Sequence, residues 1–353
     1  MKKLLLAASV ATLTMTAAQA APTLYGKLSV TLDNIDNNDF KDESVVKVNS
    51  NASRLGVKGE EKLTDNLSAV YLAEWEIGAD GDGDAFKNRN RFVGVKSAGV
   101  GTLKVGQFDS YFKTAAGNNQ DIFNDNTELD MTKVLVGEDR LTDVIGFETD
   151  KKLLGGLTFN IMFQQGEEKE ATNNATKGQE GSRDGFGDGV STSITYDNKD
   201  MGLTAAVAGN FAVSSKYNAY DAKSYYSDAI RVTGSLDFTP MGVDGLVLGA
   251  LWQTAQPTDD TVTGFKGLQE DAYGVTAAYK IGSTPLKLKA QYISATTEVD
   301  GMEDRQNDLY GVGADYQINK QAKFYGVVAQ QKIDWEEDNN KKTVIGLGME
   351  YNF

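Results

Sequence analysis

From Thr23 onward the chain repeats one pattern, in which apolar residues recur at every second position with polar ones between them. In Thr23–Asp33, Leu24, Leu28, Val30 and Leu32 share a face with Gly26 between them, while Tyr25, Lys27, Ser29, Thr31 and Asp33 take the other. A period of two is the signature of a strand with one greasy and one wet side. Leu157, Phe159, Ile161 and Phe163 repeat it against Thr158, Asn160 and Gln164. So do Ile230, Val232, Leu236 and Phe238 against Arg231, Thr233, Ser235 and Asp237, and Leu286, Leu288, Ala290 and Tyr292 against Lys287, Lys289 and Gln291. Tyr310, Val312, Ala314, Tyr316 and Ile318 alternate with Gly311, Gly313, Asp315 and Gln317. Such runs last about 9–11 residues, the span a tilted strand needs to cross a bilayer.

The connections alternate too. Short turns at 63–66, 97–101, 198–202, 281–285 and 319–321 are interleaved with long polar stretches near 35–52, 77–88, 109–138, 166–187, 212–227, 255–270, 294–307 and 332–341. Eight long connections predict sixteen strands, with both termini on the short-turn side. The fold class expected is all-β, a transmembrane antiparallel β-barrel with a wet lumen and a lipid-facing apolar band. A soluble sandwich would use shorter strands and bury both inner faces in one core.

Composition removes other classes. The chain has 353 residues, no cysteine and no histidine. That excludes a Ser-His-Asp triad, imidazole or thiolate metal ligands and a disulfide framework, so neither catalysis nor a cofactor or metal is expected. A net charge of −15 argues against nucleic acid, which needs a basic stripe. Mean hydropathy is −0.38, and no run of about 20 apolar residues lies outside the N-terminus. Length alone would suggest two soluble domains, but a single barrel accounts for it better.

Residues 1–20 read as a secretory leader, with Lys2 and Lys3, an apolar stretch from Leu4, and Ala18-Gln19-Ala20 as a cleavage site. The domain organisation expected is therefore a cleaved segment 1–20 and a barrel over 21–353.

Several segments carry a resemblance. They are Leu24-Tyr-Gly-Lys27, Ser53-Arg-Leu-Gly-Val-Lys-Gly-Glu60, Asn88-Arg-Asn-Arg-Phe-Val-Gly-Val95, Gly101-Thr-Leu-Lys-Val-Gly-Gln107 and the terminal Phe353. Together and in this order they resemble the general porins of the Gram-negative outer membrane, over essentially the whole mature length. The resemblance implies a homotrimer of sixteen-stranded barrels in the outer membrane, each passing small hydrophilic solutes, with lipid and lipopolysaccharide around it. It also implies that the closing strand, through Tyr351 and Phe353, is the insertion signal read by the barrel-assembly machinery.

In that family the third long connection folds back into the barrel. Here it is Asp109–Glu138, and Asp121, Asp125, Glu128 and Asp130 are its candidate constriction carboxylates, although the Pro-Glu-Phe-Gly-Gly sequence frequent in the family is absent. By the same resemblance Lys27, Arg54, Arg89 and Arg140 match a basic cluster on the facing wall. Period two then puts Lys58 with Arg54 and Arg91 with Arg89, and turns Lys104 inward if Leu103 and Val105 face lipid. Arginine or lysine on a lipid face near the midplane costs roughly 2–4 kcal/mol, so these charges are expected inside or at the rims.

Asp80-Gly-Asp-Gly-Asp84 suggests calcium, but an EF-hand needs glycine sixth and glutamate twelfth, where Ala85 and Arg91 stand. A substrate-specific channel for sugars or anions would show an aromatic ladder along the lumen or a dense lysine cluster; of the three tryptophans, Trp75 and Trp252 fall on lipid-side positions. An adhesin or a soluble exported β-protein would not need the charges assigned to the constriction. The barrel reading predicts heat-modifiable migration on detergent gels; a band unaffected by boiling would favour the soluble alternative.

Overall fold

The computed structural model describes residues 21–37, 43–82, 86–115, 120–123, 126, 129–167, 183–219, 224–259, 264–334 and 340–353. The leader proposed at 1–20 and Trp335 lie outside them, as do Asp84 of the acidic loop and the candidate constriction residues Asp125 and Glu128.

The alternating segments become strands. β1 is Thr23–Asn37, and β2 comes in two pieces, β2a (Glu43–Ser50) and β2b (Arg54–Lys62). Next come β3 (Leu67–Glu76), β4 (Lys87–Ser97), β5 (Gly101–Asp109), β6 (Arg140–Thr149), β7 (Leu157–Gln164) and β8 (Gly189–Asn198). The second half holds β9 (Leu203–Lys216), β10 (Ser224–Asp237), β11 (Leu246–Pro257) and β12 (Gln269–Lys280). β13 (Leu286–Glu298), β14 (Arg305–Gln317), β15 (Ala322–Asp334) and β16 (Asn340–Asn352) complete it.

Each strand pairs antiparallel with its neighbours in sequence, and the two ends of the sheet meet. β1 runs along β16 from Lys27↔Asn352 to Asn37↔Lys342. Its other edge is shared by β2b over Thr23–Lys27 and β2a over Val30–Asn37, so the two pieces act as one stave. Where β2 breaks, Ala52 has a positive φ of 47°. There the Asn51 N–H donates to Ser29 O at 2.8 Å and the Ser29 N–H to Ser53 Oγ at 3.0 Å, so β1 keeps its partners across the gap. Among the described residues the result is a closed sixteen-stranded antiparallel barrel. No helix among them is long and apolar enough to cross a membrane.

The two faces differ as the alternation predicts. Leu24, Leu32, Val93, Val105, Val207, Trp252, Leu288, Val312 and Leu347 are exposed on the outside. Lys27, Ser29, Thr31, Asp33, Ser191, Ser193, Arg231 and Gln253 are buried on the opposite face. Tyr273, Tyr292 and Tyr310 stand side by side on the outer face, with ring centroids 5.8 and 4.8 Å apart. Such a row of amphipathic rings suits a membrane–water boundary.

Apolar packing on the polar face has a local cause. Each of the three buried apolar clusters includes side chains from 111–136, in the connection between β5 and β6. Phe123, Leu129, Met131, Val134 and Leu135 pack against Ile293, Ala295, Leu309 and Val327 of β13–β15. Two glycines allow the approach: a Cβ on Gly311 would strike the Leu129 side chain, and one on Gly313 would lie 2.8 Å from the Phe123 ring. The connection begins with a short helix, α1 (Tyr111–Ala115), and includes a 3-10 turn, Met131–Lys133, whose Thr132 N–H donates to the Asp130 carboxylate.

Leu347, 71% exposed near the middle of β16, tests which face meets lipid. Leu347→Arg is expected to lower barrel stability by roughly 2–4 kcal/mol in bilayer refolding titrations; an unchanged midpoint would place this face in water.

Candidate functional site

The basic wall is built on β1–β6. Lys27 and Arg54 are opposite each other across the β1–β2b pair. Glu74 of β3 joins the cluster: its carboxylate takes Arg89 Nε at 2.6 Å and the Tyr25 hydroxyl at 2.8 Å, with Arg54 Nε at 3.9 Å. Arg89 also reaches Glu76, at 3.3 Å. Arg140 donates to Asn90 at 2.6 Å and pairs with Asp109 at 3.0 Å, and Lys113 approaches the same carboxylate at 3.6 Å.

Apart from Lys27 and Tyr25, these groups line one cavity of about 650 Å³ toward the long-loop end, together with Asp121, Asp130, Thr132 and Lys133 of the β5–β6 connection. Six cations (Arg54, Lys87, Arg89, Lys113, Lys133, Arg140) meet five carboxylates (Glu74, Glu76, Asp109, Asp121, Asp130). The wall is therefore more evenly balanced than a purely basic one, because β3 and β5 bring their own acids. A second cavity, of about 250 Å³, lies toward the short-turn end and is lined by Lys287, Lys289, Lys323, Asp315, Glu350, Tyr325 and Asn51. Lys289 pairs with Asp315 at 3.0 Å and Lys323 with Glu350 at 3.4 Å. Asp121 lines both cavities.

The remaining candidates fall in different places. Lys58 shares the face of Arg54 but is exposed, its ammonium 4.7 Å from the Tyr25 ring centre. Lys104 does turn inward: it pairs with Glu148 and sits over the rings of Phe92 and Phe108 at 4.9 and 4.5 Å. Arg91 does not join Arg89. The β3–β4 register shifts between Ala73 and Trp75, so one extra residue is accommodated at Arg89–Asn90 and the alternation slips. Arg91 thus shares the outer face with Val93 and Val95, near the long-loop end, and donates to Gln107 at 2.7 Å. Tyr351 and Phe353 are exposed on the outer face, and the Phe353 backbone exchanges two 3.0 Å hydrogen bonds with Gly26 of β1.

Periodicity put Arg231, Lys287, Lys289 and Gln291 on the wet face without singling them out. In the structure they hold the β5–β6 connection or line the second cavity. Lys289 donates to Ile122 O at 3.2 Å, Gln291 to Leu129 O at 3.0 Å, Asn307 to Lys133 O at 3.0 Å and Gln253 to Val136 O at 2.9 Å. Glu270 accepts the Val136 N–H at 2.8 Å. Long amides at alternate positions of successive strands were the available signal. Asp80 accepts the Ser50 and Asp82 N–H groups at 2.8 and 3.2 Å, and no cluster suited to a metal occurs among the described residues.

Comparison with known proteins agrees with this architecture. The family described as Gram-negative porin matches residues 6–335. Outer membrane porin F of Xenorhabdus nematophila is 25% identical, covering 94% of this chain and 91% of its own length. The major outer membrane protein P.IB of Neisseria gonorrhoeae is 33% identical over a shorter stretch, 33% of this chain and 35% of that one. Among solved structures, an anion-selective porin from Comamonas acidovorans superposes with a TM-score of 0.71 at 19% identity, covering 94% of this chain and 99% of that one. The trimer form of OmpT from Vibrio cholerae gives 0.65 at 16%, with 96% and 100% covered.

Asp139 closes the connection and takes a 2.6 Å hydrogen bond from Ser215. Burial pushes its pKa from 3.8 up to about 6, and Glu138 adds to this while the Ser215 bond opposes it. A folded pKa raised in this way stabilises the docked segment fully below the unfolded value, and the stabilisation is lost as pH rises through the folded one. Amide exchange protection across 129–139, corrected for intrinsic rates, is expected to increase between about pH 7 and pH 5. Asp139→Asn should flatten that dependence; the same slope in the variant would assign it to another group.

Proposed function

The chain belongs to the Gram-negative porin family, and on that premise we propose that its water path runs along one side of the barrel, between the β1–β6 wall and a constriction formed by the β5–β6 connection. As a porin it is a diffusion channel of the outer membrane. The observation that carries the finer reading is the position of Asp121, which lines both cavities and shares the larger one with Arg54, Arg89 and Arg140. The segment holding it adheres to the β11–β15 side through apolar packing and bonds to its carbonyls. At the level of the connection that side is thereby filled and the charged β1–β6 side is left for water, while toward the short-turn end the second cavity opens beside Lys289, Asp315 and Lys323.

The mechanism is electrostatic. Opposed cations and carboxylates in a narrow aqueous gap create a field that ordered water and polar solutes can follow, while apolar molecules cannot replace the hydration they disrupt. Fixed arginine charges suit this wall because they survive crowding by like charges. Six cations against five carboxylates give the larger cavity little net charge, and this supports weak rather than strict ion preference. The Comamonas acidovorans porin is described as anion-selective; here Glu74, Glu76 and Asp109 offset the wall arginines.

We further assign residues 1–20 as the cleaved leader, a homotrimer as the working assembly, and lipid, lipopolysaccharide and the barrel-assembly machinery as partners of the outer face and closing strand. The trimer form of the Vibrio cholerae neighbour supports the assembly.

Removing two carboxylates from the constriction tests the reading. Asp121→Asn/Asp130→Asn leaves the larger cavity with a cation excess, so the reversal potential in a salt gradient is expected to move toward that of chloride. An unmoved potential would place the segment away from the ion path.

A further inference from the structure

We propose that Arg231 is the positioning residue that staples the neck of the constriction segment and thereby fixes the width of the pore. The inference rests on the reading that this segment narrows the channel. Arg231 sits on the inner face of β10 and is fully buried, so it is not one of the wall arginines a permeating ion would meet. Its guanidinium reaches both ends of the segment. Nη1 donates to Phe112 O at 3.3 Å, and the guanidinium carbon lies 4.3 Å from the Phe112 ring centre. Nη2 donates to the carboxylate of Glu138, whose side chain is itself nearly buried. Nε bonds Gln253 Oε1 at 3.0 Å, and the Gln253 amide group passes the connection on to Val136 O at 2.9 Å.

Phe112 and Glu138 therefore meet at one side chain although 25 residues separate them in the chain. Closing a loop of that length costs configurational entropy, which bonds at the neck must offset. A planar fork with donors in several directions can do this at one point, whereas a lysine presents a single ammonium. Breaking a buried pair by removing one partner is strongly destabilising because the other charge is left without compensation. Loss of Arg231 is thus expected to free the segment while the barrel ladder remains closed.

The test uses the full-length protein reconstituted in planar bilayers and in detergent. In Arg231→Gln, open-channel current noise is expected to rise several-fold. Trypsin cleavage after Lys113 or Lys133 should quicken on the order of tenfold or more, since a buried carboxylate has lost its partner. Heat-modifiable migration should be unchanged, showing an intact barrel. Arg231→Lys should fall between the two, and Arg231→Gln/Glu138→Gln should lie closer to wild type than Arg231→Gln alone, because the uncompensated charge is gone. Wild-type noise and cleavage in Arg231→Gln, alongside a shifted reversal potential in Asp121→Asn/Asp130→Asn, would overturn the staple and leave the constriction reading standing. Faster cleavage with wild-type conductance and noise would show that the segment moves without affecting the pore, and both would fall.

Discussion

A backbone amide in hydrocarbon has no water to bond, so a strand can cross a membrane only if both of its edges are paired. In this chain that requirement is met at the seam between β1 and β16. Eleven successive residue pairs join them, and Phe353 extends the pairing to Gly26. On its other edge β1 is covered by two pieces of β2, with Ser53 and Asn51 bridging the break. With the ladder closed, residues on the outer face need only be apolar, and those on the inner face are free to carry charge.

The inner face uses that freedom unevenly. On β11–β15 it presents Gln253, Gln291, Asn307 and Gln331, whose amide groups take the carbonyls of the β5–β6 connection. Glycines at 311 and 313 remove the side chains that would hold Leu129 and Phe123 away. On β1–β6 it presents Arg54, Arg89 and Arg140 with Glu74, Glu76 and Asp109. At the level of the connection, the proposed eccentric pore follows from this contrast between a side that binds peptide groups and a side that binds water and ions; below it, the charges of Lys289, Asp315, Lys323 and Glu350 line the second cavity.

Much of this was legible in the sequence because period two fixes a side chain's face without knowledge of its neighbours. Leu288 outside and Lys289 inside are direct readings of that rule, as are Arg231 and Gln291 on the wet face. The rule fails where a strand gains a residue: the bulge at Arg89–Asn90 sends Arg91 to the outer face. It is also silent about contacts between elements far apart in the chain. Nothing local marks Gly311 as the seat of Leu129, or Arg231 as a group that touches residues 112 and 138. Those facts depend on closure, which brings strands from opposite ends of the chain around one lumen.

The absence of cysteine makes accessibility to a charged thiol reagent the most direct measurement, because each introduced cysteine is then unique. An eccentric pore predicts fast labelling of cysteines at Glu76 and Lys87 on the charged side. It predicts slow labelling at Gln291, Ala295 and Leu309, which are buried under the connection. Equally fast labelling on both sides would contradict it.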